Sequence, residues 1–261
     1  MKPATAFARL HHGPTPLLLP NAWDVTSALA FARAGYPAVG TSSFGVAASD
    51  GRPDGGRATR ELNLALATAL QRLPIPVSVD IEDGYHDDPG AVADYVADLA
   101  HAGASGINIE DSTAEALIDP ARHAAKIAAI KDRCPAVFLN ARVDTYWLGQ
   151  DATPEHTLAR AEAYIRAGAD GVFLPGLTDP AILREATREL PLPVNTLAVP
   201  DLTLDQLADL GVRRVSTGSL PYRAAIHAAL DVAAAVRDGR TPPPGLPYSD
   251  LQTALVDHTT K

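Results

Sequence analysis

The feature that most constrains the fold of this chain is a regular alternation of short apolar runs with segments of helical period. The runs are rich in Val, Ile, Leu and Phe and have the length of single strands. They cover residues 17–22, 38–43, 77–82, 106–111, 137–142, 171–176, 193–199 and 213–218. Because parallel strands need a long and usually helical crossover, this order predicts successive βα units rather than a sandwich or a helical bundle.

Eight βα units in 261 residues match the size and order of a (β/α)₈ TIM barrel. An open doubly wound sheet usually has fewer strands and a glycine-rich first turn, and no GxGxxG motif follows the first run. Asp24 and Asp179 are predicted N-caps. The clearest helices are predicted over residues 59–72, 90–101, 120–131, 154–167 and 179–189. We therefore predict an α/β protein with a single TIM-barrel domain over residues 1–261.

The last part of the chain, residues 240–261, differs from the rest by its prolines. The segment RTPPPGLPYSD cannot be helical through those prolines, which predicts an extended connector to a short last helix over about residues 250–258. Such a helix is detached from its own barrel and is available to pack on a neighbouring subunit. We therefore expect a domain-swapped C-terminal helix and a homodimer or homotetramer.

Composition argues against several classes of partner. The formal net charge is −9 at pH 7 without a basic run, which disfavours nucleic acid because its phosphates are bound largely by Lys and Arg. No stretch approaches the roughly 18 apolar residues of a membrane helix, and the N-terminus lacks a signal-peptide pattern. Cys134 is the only cysteine, so no disulfide can form within the chain. We expect a cytoplasmic protein without a membrane partner.

Side-chain parity separates a polar from an apolar face on three neighbouring strands. Alternate positions carry Ser78, Asp80 and Glu82 on the third strand, Asn108 and Glu110 on the fourth, and Asn140, Arg142 and Asp144 on the fifth. The residues between them are Val, Ile, Leu or Ala, which must meet the surrounding helices. The polar face then points into the barrel, and its charged members lie at the carboxyl ends of the strands, where such barrels build their active sites.

Three acidic residues are predicted to lie close together at these strand ends. Carboxylates about 6 Å apart repel by roughly 3 kcal/mol per pair at an effective dielectric near 20. Asp80, Glu82 and Glu110 therefore cannot all stay ionised without a cation or raised pKa values. Oxygen ligands suit Mg²⁺ or Mn²⁺, whereas Zn²⁺ prefers His and Cys, and His86 has no second such residue at a suitable spacing. The pattern predicts a site for a hard divalent cation.

Six longer segments lie at the predicted strand ends. They are NAWD (21–24), TSSFGVAASDGRPDGG (41–56), VDIEDGYHDDP (79–89), GINIEDS (106–112), NARVD (140–144) and ADGVFLPG (169–176). Together they resemble the isocitrate lyase and phosphoenolpyruvate mutase superfamily, in the right order and through nearly the whole barrel. One segment alone would be a weak signal, but six in order make chance matches improbable.

The resemblance implies a Mg²⁺ site in which Asp80 is the closest protein ligand. Asp54, Glu82 and Glu110 would bind the ion directly or through water, and Asp54 is also counted among the catalytic residues. The ion would chelate a small anionic 2-oxo acid and neutralise a pyruvate-like enolate as a C–C or P–C bond breaks. Tyr85, in a glycine-flanked loop at the mouth, is a candidate for delivering a proton.

The resemblance also implies how a substrate is held. Ser42, Ser43 and Phe44 would bind its carboxylate, largely through backbone N–H groups. Arg142 would pair with a second anionic group, for which its planar fork offers two hydrogen bonds. Parity places Asn195 inward on the seventh strand, where it is a candidate for binding a substrate oxygen.

The segment after Glu110 departs from the best-known members of the superfamily. It reads DSTAEALIDP and lacks the Lys-Cys-Gly-His signature of the isocitrate and methylisocitrate lyases. Cys134 cannot replace that cysteine, because it precedes the fifth strand at the end of the barrel opposite the site. The phosphonate-forming mutases have an Asn-containing loop here and a histidine on the sixth strand, where this chain has Pro175. Residues 111–119 therefore leave the substrate unnamed.

Four functions remain open at this point. The first is a Mg²⁺-dependent lyase, decarboxylase or hydrolase that cleaves a C–C bond of a small oxo-dicarboxylate or substituted malate. The second is a phosphonate-forming or carboxyphosphonate phosphomutase. The third is a transferase that adds a one-carbon unit to a 2-oxo acid and needs a folate site. The fourth is a non-catalytic, metal-holding barrel.

Overall fold

A single sheet of nine parallel strands winds into a barrel in the computed structural model, which describes residues 3–260. The strands of this sheet are β1 (Leu17–Leu19), β2 (Asn21–Ala22), β3 (Val39–Thr41), β4 (Val77–Asp80), β5 (Gly106–Glu110), β8 (Phe138–Arg142), β9 (Gly171–Phe173), β10 (Val194–Leu197) and β11 (Arg214–Ser216). Two further strands, β6 (Ser112–Thr113) and β7 (Ala116–Leu117), form a small antiparallel hairpin. Residues 1, 2 and 261 of the predicted domain lie outside the described part.

The nine strands occupy eight strand positions around the barrel, because β1 and β2 are two halves of the predicted first strand. They are separated by Pro20, which has no N–H to donate to a ladder. β1 pairs with the last strand, β11, with Leu17 opposite Arg214, whereas β2 pairs with β3, with Asn21 opposite Gly40. The sheet therefore closes at the first strand position, and the TIM-barrel prediction is confirmed.

Helices connect the strands and surround the sheet. They are α1 (Pro3–Leu10), α2 (Val25–Arg33), α3 (Ser43–Ser49), α4 (Arg60–Leu70), α5 (Pro89–His101), α6 (Pro120–Arg133), α7 (Thr145–Leu148), α8 (Pro154–Arg166), α9 (Pro180–Glu189), α10 (Leu204–Asp209), α11 (Leu220–Arg237) and α12 (Tyr248–Thr260). Asp24 caps α2 through a capping box with Ser27, and Asp179 accepts from two N–H groups at the start of α9. Both predicted N-caps are confirmed.

The two faces predicted from parity are both present. Val79, Ile81, Ile107 and Leu139 are fully buried in the apolar layer between sheet and helices. Inside the barrel, Asn108 Oδ1 accepts from Asn140 Nδ2 at 3.0 Å and from an amino group of Arg214 at 3.1 Å. The interior of the barrel is therefore a hydrogen-bonded polar layer, and the charged strand ends lie directly above it.

The amino ends of the strands are closed by α1. Phe7 of this helix is fully buried, and its ring packs edge-on against Phe138 with centroids 5.5 Å apart. A Cβ on Gly106 would come within 2.7 Å of the Phe7 ring, so only glycine fits there. With this end sealed, the carboxyl ends of the strands are the open mouth of the barrel.

The last two helices differ in how they contact the barrel. As predicted, α12 follows the proline-rich connector, and it folds back onto the same chain: His258 Nε2 lies 2.9 Å from the carbonyl of Ala69, and Arg72 donates to the carbonyl of Thr259 at 3.1 Å. By contrast, α11 leaves large apolar residues in solvent, including Leu230 and Val236, each 64% exposed. The larger unpartnered apolar face is therefore on α11.

Candidate active site at the carboxyl ends of the strands

The mouth of the barrel contains a cavity of about 470 Å³. Most of the predicted site residues line it, namely Ser42, Ser43, Phe44, Asp54, Asp80, Glu82, Glu110 and Arg142. They arrive from the ends of β3, β4, β5 and β8 and from the loop before α4. Residues far apart in sequence therefore meet at the end of the barrel where parity placed them.

Asp80 is the last residue of β4 and lies at the centre of this group. Its Oδ2 accepts from the backbone N–H of Ser43 at 3.2 Å, and its own N–H donates to Thr41 Oγ1 at 2.9 Å. Oδ1 is buried and has no hydrogen-bond partner among the described residues. Burial raises the pKa of this carboxyl, and nearby Arg142 opposes that shift. A buried carboxylate oxygen without a donor is a costly feature unless a cation binds it.

Glu82 lies in the loop after β4, where the backbone is unusual. Its φ is +49°, a left-handed conformation that costs a non-glycine residue of the order of 1 kcal/mol or more and is typical of functional sites. The side chain accepts from Thr59 Oγ1 at 2.6 Å and from the N–H of Arg57 at 2.9 Å. Burial raises the pKa of Glu82 as well. The loop therefore aims a second carboxylate at the cavity wall.

Arg142, at the end of β8, is held between two carboxylates. One amino group donates to Glu110 Oε1 at 2.5 Å, and Nε donates to Asp144 Oδ1 at 2.5 Å. Burial raises the pKa of Glu110 well above its ordinary value, although Arg142 opposes this. The guanidinium also lies 5.5 Å from the ring centre of Trp147 and 5.8 Å from that of Phe173. Its orientation is thus fixed before any ligand binds.

The four predicted metal ligands share one cavity, but they do not converge on a single point. Within residues 3–260, no three acidic, histidine or cysteine side chains come close enough to form a preassembled metal site. Because like charges repel, Glu82 and Glu110 each point toward a donor of their own, as described above. The predicted convergence of Asp80, Glu82 and Glu110 is therefore not present in this structure, although all three line the same cavity.

The donor set nevertheless fits a hard divalent cation. Every candidate ligand is a carboxylate oxygen, which is the chemistry that Mg²⁺ selects. Oδ1 of Asp80 has no donor among the described residues, and burial raises the pKa of Asp80 and of Glu110, so their ionised forms are disfavoured unless more positive charge is nearby. A cation in the cavity would supply that charge.

The segment predicted to hold a substrate carboxylate begins α3. Ser42 is the N-cap, and its Oγ accepts from the N–H of Gly45 at 3.2 Å. A Cβ on Gly45 would lie 2.7 Å from Trp23, so a larger residue would displace this turn. The N–H groups of a helix's first turn have no partner within the helix; that of Phe44 lies beside the cavity, whereas that of Ser43 already donates to Asp80 Oδ2. This end of the cavity is suited to an anion.

Two predicted residues do not reach the cavity, and their proposed roles need correction. The side chain of Tyr85 is buried; its hydroxyl lies 3.0 Å from Thr59 Oγ1 and accepts from Asn63 Nδ2 at 2.5 Å. Burial raises the pKa of Tyr85 further above neutrality. Asn195 does face inward, but it lies below the cavity, where its Oδ1 accepts from Ser216 Oγ at 3.2 Å. Tyr85 therefore supports the loop, and Asn195 belongs to the polar interior.

The hairpin formed by β6 and β7 covers one side of the cavity and was not predicted. Thr113, Ala114 and Glu115 line the wall, and the two turn residues Ala114 and Glu115 have φ of +49° and +60°. Such a turn normally carries glycine or asparagine, and neither residue is present here to indicate it. Gln150 holds it in place by accepting from the N–H of Leu117 at 3.1 Å and donating to the carbonyl of Glu115 at 2.9 Å.

A buried network that sequence reasoning missed connects this hairpin to Arg142. Ser112 Oγ donates to Asp144 Oδ2 at 2.6 Å, so Asp144 binds the hairpin with one oxygen and Arg142 with the other. Asp111 accepts from the N–H of Asp144 at 2.8 Å and from Arg160 Nε at 2.6 Å. Parity had placed Asp144 on the polar face, but nothing in the sequence paired Asp111 with a residue on α8.

Cys134 lies away from the cavity, as predicted. It is buried at the carboxyl end of α6, before β8, and burial raises the pKa of its thiol.

Across residues 3–260, every helix is too short or too polar to span a lipid bilayer.

Comparisons with known proteins agree with this geometry. The model of the phosphoenolpyruvate phosphomutase family matches residues 7–237. An uncharacterised protein of Mycobacterium tuberculosis (strain ATCC 25618 / H37Rv) is 59% identical over 98% of each chain. The 2-methylisocitrate lyase of Salmonella typhimurium is 30% identical over 92% of this chain and 86% of its own. The crystal structure of a candidate lyase/mutase from Burkholderia cenocepacia J2315 is 37% identical, with a TM-score of 0.88 over 96% of this chain and 94% of its own.

Proposed function

Because this chain belongs to the phosphoenolpyruvate phosphomutase family, in the isocitrate lyase and phosphoenolpyruvate mutase superfamily, we propose that it is a Mg²⁺-dependent C–C bond-cleaving enzyme. Its substrate is a small 2-oxo or 2-hydroxy dicarboxylate, and the reaction passes through a pyruvate-like enolate. The observation that carries the proposal is Asp80, whose buried Oδ1 has no hydrogen-bond donor among the described residues and which lines a cavity with three other predicted carboxylate ligands.

Asp80 is the residue proposed to hold the metal ion most closely. Asp54, Glu82 and Glu110 hold it directly or through water, and the same oxygen donors also accept Mn²⁺. When bound, the ion supplies a Lewis acid that stabilises negative charge on a substrate oxygen, an effect worth several kcal/mol.

The protein's own groups orient the substrate. At the start of α3, which Ser42 caps, the N–H group of Phe44 binds the carboxylate next to the oxo or hydroxy carbon, and the N–H group of Ser43 joins it in exchange for Asp80 Oδ2. Arg142 pairs with the anionic group at the bond that breaks, and Glu110 and Asp144 hold its guanidinium in place. Such preorganised charge favours the transition state because no reorganisation is needed when the substrate's charge moves.

The absence of a cysteine from the cavity lining distinguishes this site from the lyases with the Lys-Cys-Gly-His loop. Those enzymes use the cysteine as an acid. A decarboxylation needs no acid to release carbon dioxide, because water can protonate the enolate afterwards. Among the C–C cleavages open to this site, decarboxylation of an oxo acid therefore requires the fewest groups that the cavity lacks.

We also propose that the chain forms a homodimer or homotetramer. The prediction from sequence placed the interface on the C-terminal helix, but the exposed apolar residues of α11, among them Leu230 and Val236, are the better basis for it. The mass of the protein in solution, measured by light scattering for the wild type and for Leu230→Glu, tests this assembly.

The function is tested by turnover. Purified protein treated with EDTA is assayed with oxaloacetate and with 2-alkylmalates, before and after Mg²⁺ is added. Mg²⁺-dependent release of pyruvate or of another 2-oxo acid supports the proposal. Rearrangement of phosphoenolpyruvate without C–C cleavage would assign a phosphomutase instead. If the protein turns over none of these compounds and its melting temperature does not change with Mg²⁺, the proposal of a metal-dependent enzyme is wrong.

A further inference from the structure

The cavity at the mouth is much larger than the fragment proposed to react in it. Its volume of about 470 Å³ lies within the range of sites that bind drug-sized ligands, whereas a pyruvate-like enolate has only three carbons. The metal ligands and Arg142 lie on the side formed by β4, β5 and β8. The remaining space is bordered by α7, by the ends of β9, β10 and β11 and by the start of α11. Apart from the Trp147 and Phe173 rings that lie over Arg142, it has no role in the chemistry described above.

That remaining space is lined mainly by apolar side chains. They are Trp147, Leu148, Phe173, Pro175, Leu197, Ala198 and Leu220. Trp147 and Leu220 are large apolar residues that line the cavity and are nevertheless 54% and 53% exposed. Exposed apolar groups that border a cavity are typical of a ligand-binding surface. We refer to these seven residues as the apolar wall.

One positively charged side chain, that of Arg223, lies beside the apolar wall. Among the described residues that line the cavity, Arg142 and Arg223 are those with a positive charge. Arg142 is already paired with Glu110 and Asp144, whereas Arg223 has no carboxylate within 4.0 Å among residues 3–260. On the hairpin wall, Glu115 would repel a second negative charge. An anionic group in this part of the cavity is therefore directed toward Arg223.

The position of Arg223 is set by the first turn of α11. The turn before this helix is tied to Asn21, whose Oδ1 accepts from the N–H groups of Thr217 at 3.0 Å and Gly218 at 2.9 Å. Next to Arg223, the ring of Tyr222 packs edge-on against Trp23 with centroids 5.5 Å apart. Although most of α11 is exposed, its first turn is thus anchored to the barrel and keeps Arg223 at the cavity.

We propose that the substrate extends beyond its reacting carbons by an apolar body that ends in a carboxylate. The apolar wall binds the body and Arg223 binds the terminal carboxylate. This inference rests on the proposed function, because it concerns the part of the same substrate that does not react. The terminal carboxylate is a third anionic group beside the two that the α3 turn and Arg142 bind, so the dicarboxylate of the proposed function is the reacting part of a longer substrate.

The test is a binding cycle that removes the charge from the ligand and from the protein in turn. Dissociation constants for Mg²⁺-loaded protein are measured by calorimetry with 2-oxoadipate and 2-oxohexanoate, and with 2-oxosuberate and 2-oxooctanoate. In each pair only the terminal group differs. For at least one chain length, we expect the terminal carboxylate to tighten binding to the wild type about tenfold, equivalent to roughly 1.4 kcal/mol.

In Arg223→Gln this advantage disappears, and the monocarboxylates still bind within about twofold of their wild-type affinity. Arg223→Lys retains part of the advantage, because the charge remains while the planar fork is lost. Arg213→Gln is the matched control: Arg213 precedes β11 at the opposite end of the barrel, is exposed, and changes the net charge equally. It should leave the whole cycle unchanged.

Two failures can be told apart with oxalate, which is too short to reach Arg223. If the wild type binds no oxalate in the presence of Mg²⁺, the proposed function is wrong and the inference falls with it. If oxalate binds but the terminal carboxylate gives no advantage at either length, or gives the same advantage in Arg223→Gln, the inference alone is overturned.

Discussion

The two halves of the barrel mouth are built in opposite ways. The half formed by β4, β5 and β8 presents Glu110 and Arg142, which form an ion pair, and Asp80, which keeps one buried oxygen without a donor among the described residues. The half formed by β9, β10 and β11 presents Phe173 and Leu197, which offer shape and apolar surface. The same sheet thus carries charged groups on one side of the mouth, where we propose the chemistry takes place, and apolar groups on the other, which we propose select the substrate.

The difference extends to how firmly each half is held. Arg142 is connected through Asp144 to the hairpin and to Asp111, so that moving one member moves several hydrogen bonds. Phe173 and Leu197 contribute packing and no side-chain hydrogen bonds. Changes in the charged half should therefore lower the rate of the chemical step, and changes in the apolar half should mainly raise KM.

The largest expected effect is that of Asp80→Ala. We expect it to abolish both turnover and the stabilisation of the fold by Mg²⁺, which for the wild type should reach about 2.7 kcal/mol at one hundred times the dissociation constant, or several degrees in Tm. The metal-free variant should be no less stable than the wild type, because the substitution removes a buried charge. Thermal unfolding with EDTA or with Mg²⁺ measures both quantities.

Asp54→Ala serves as the comparison for this experiment. Asp54 is exposed on a loop, so its loss should weaken Mg²⁺ binding less than the loss of Asp80. If the Tm of the wild type does not respond to millimolar Mg²⁺ or Mn²⁺, the charged half is not a metal site and the contrast between the halves fails.

Arg142→Lys should lower kcat about 10²-fold while Mg²⁺ still raises the Tm as in the wild type. An ammonium is a point charge and cannot donate to Glu110, to Asp144 and to a substrate in the planar arrangement of a guanidinium. Steady-state kinetics and thermal unfolding on the same preparation separate the two effects. An equal loss of metal affinity would show that Arg142 supports the carboxylates rather than the reaction.

Much of the charged half could be predicted from the sequence, because its signals are local. On β4, Val79 and Ile81 alternate with Asp80 and Glu82, and a period of two is sufficient to assign faces. Tyr85 was misplaced because its φ of +63° turns the side chain toward the core, which no pattern reveals. Asn195 faces inward as expected, but parity does not state how far below the mouth a residue lies.

The apolar half was harder to predict, because its residues are ordinary strand and helix residues whose meaning depends on the cavity. Leu197 and Leu220 carry no chemical signal in the sequence. Arg223 lies on a helix nearly three times farther along the chain than Asp80, and only closure of the barrel brings it to the mouth. The hairpin turn at Ala114 lacked its usual glycine, so that wall of the cavity also remained hidden.

Leu197→Ala tests the apolar half with a smaller expected effect. Removing several methyl and methylene groups from a binding surface typically weakens binding about tenfold, so KM should rise by about that factor while kcat changes little. The Mg²⁺-dependent shift in Tm should be the same as in the wild type. A fall in kcat comparable to that of Arg142→Lys would contradict the assignment of catalysis to the charged half and of substrate binding to the apolar half.

The smallest expected effect is that of Cys134→Ser. The thiol is buried before β8 at the end of the barrel away from both halves of the mouth, so kcat and KM should stay within about twofold of the wild-type values. Circular dichroism controls for unfolding. A large loss of rate in a folded Cys134→Ser protein would mean that cysteine chemistry takes part after all.

The hydrogen bonds of Asn21 join the first and last parts of the barrel and so limit when the barrel can close during synthesis of the chain. Asn21 N–H donates to Thr217 Oγ1 at 2.9 Å across 196 residues, while Asn21 Nδ2 donates to the carbonyl of Thr41 at 2.8 Å on the other side. Contacts of such sequence separation form late in folding, because a long loop must close first. A nascent chain can therefore order most of its βα units on the ribosome and still lack the closed barrel end that holds the cavity. The complete cavity can form only after the last strand has been synthesised and has paired with the first.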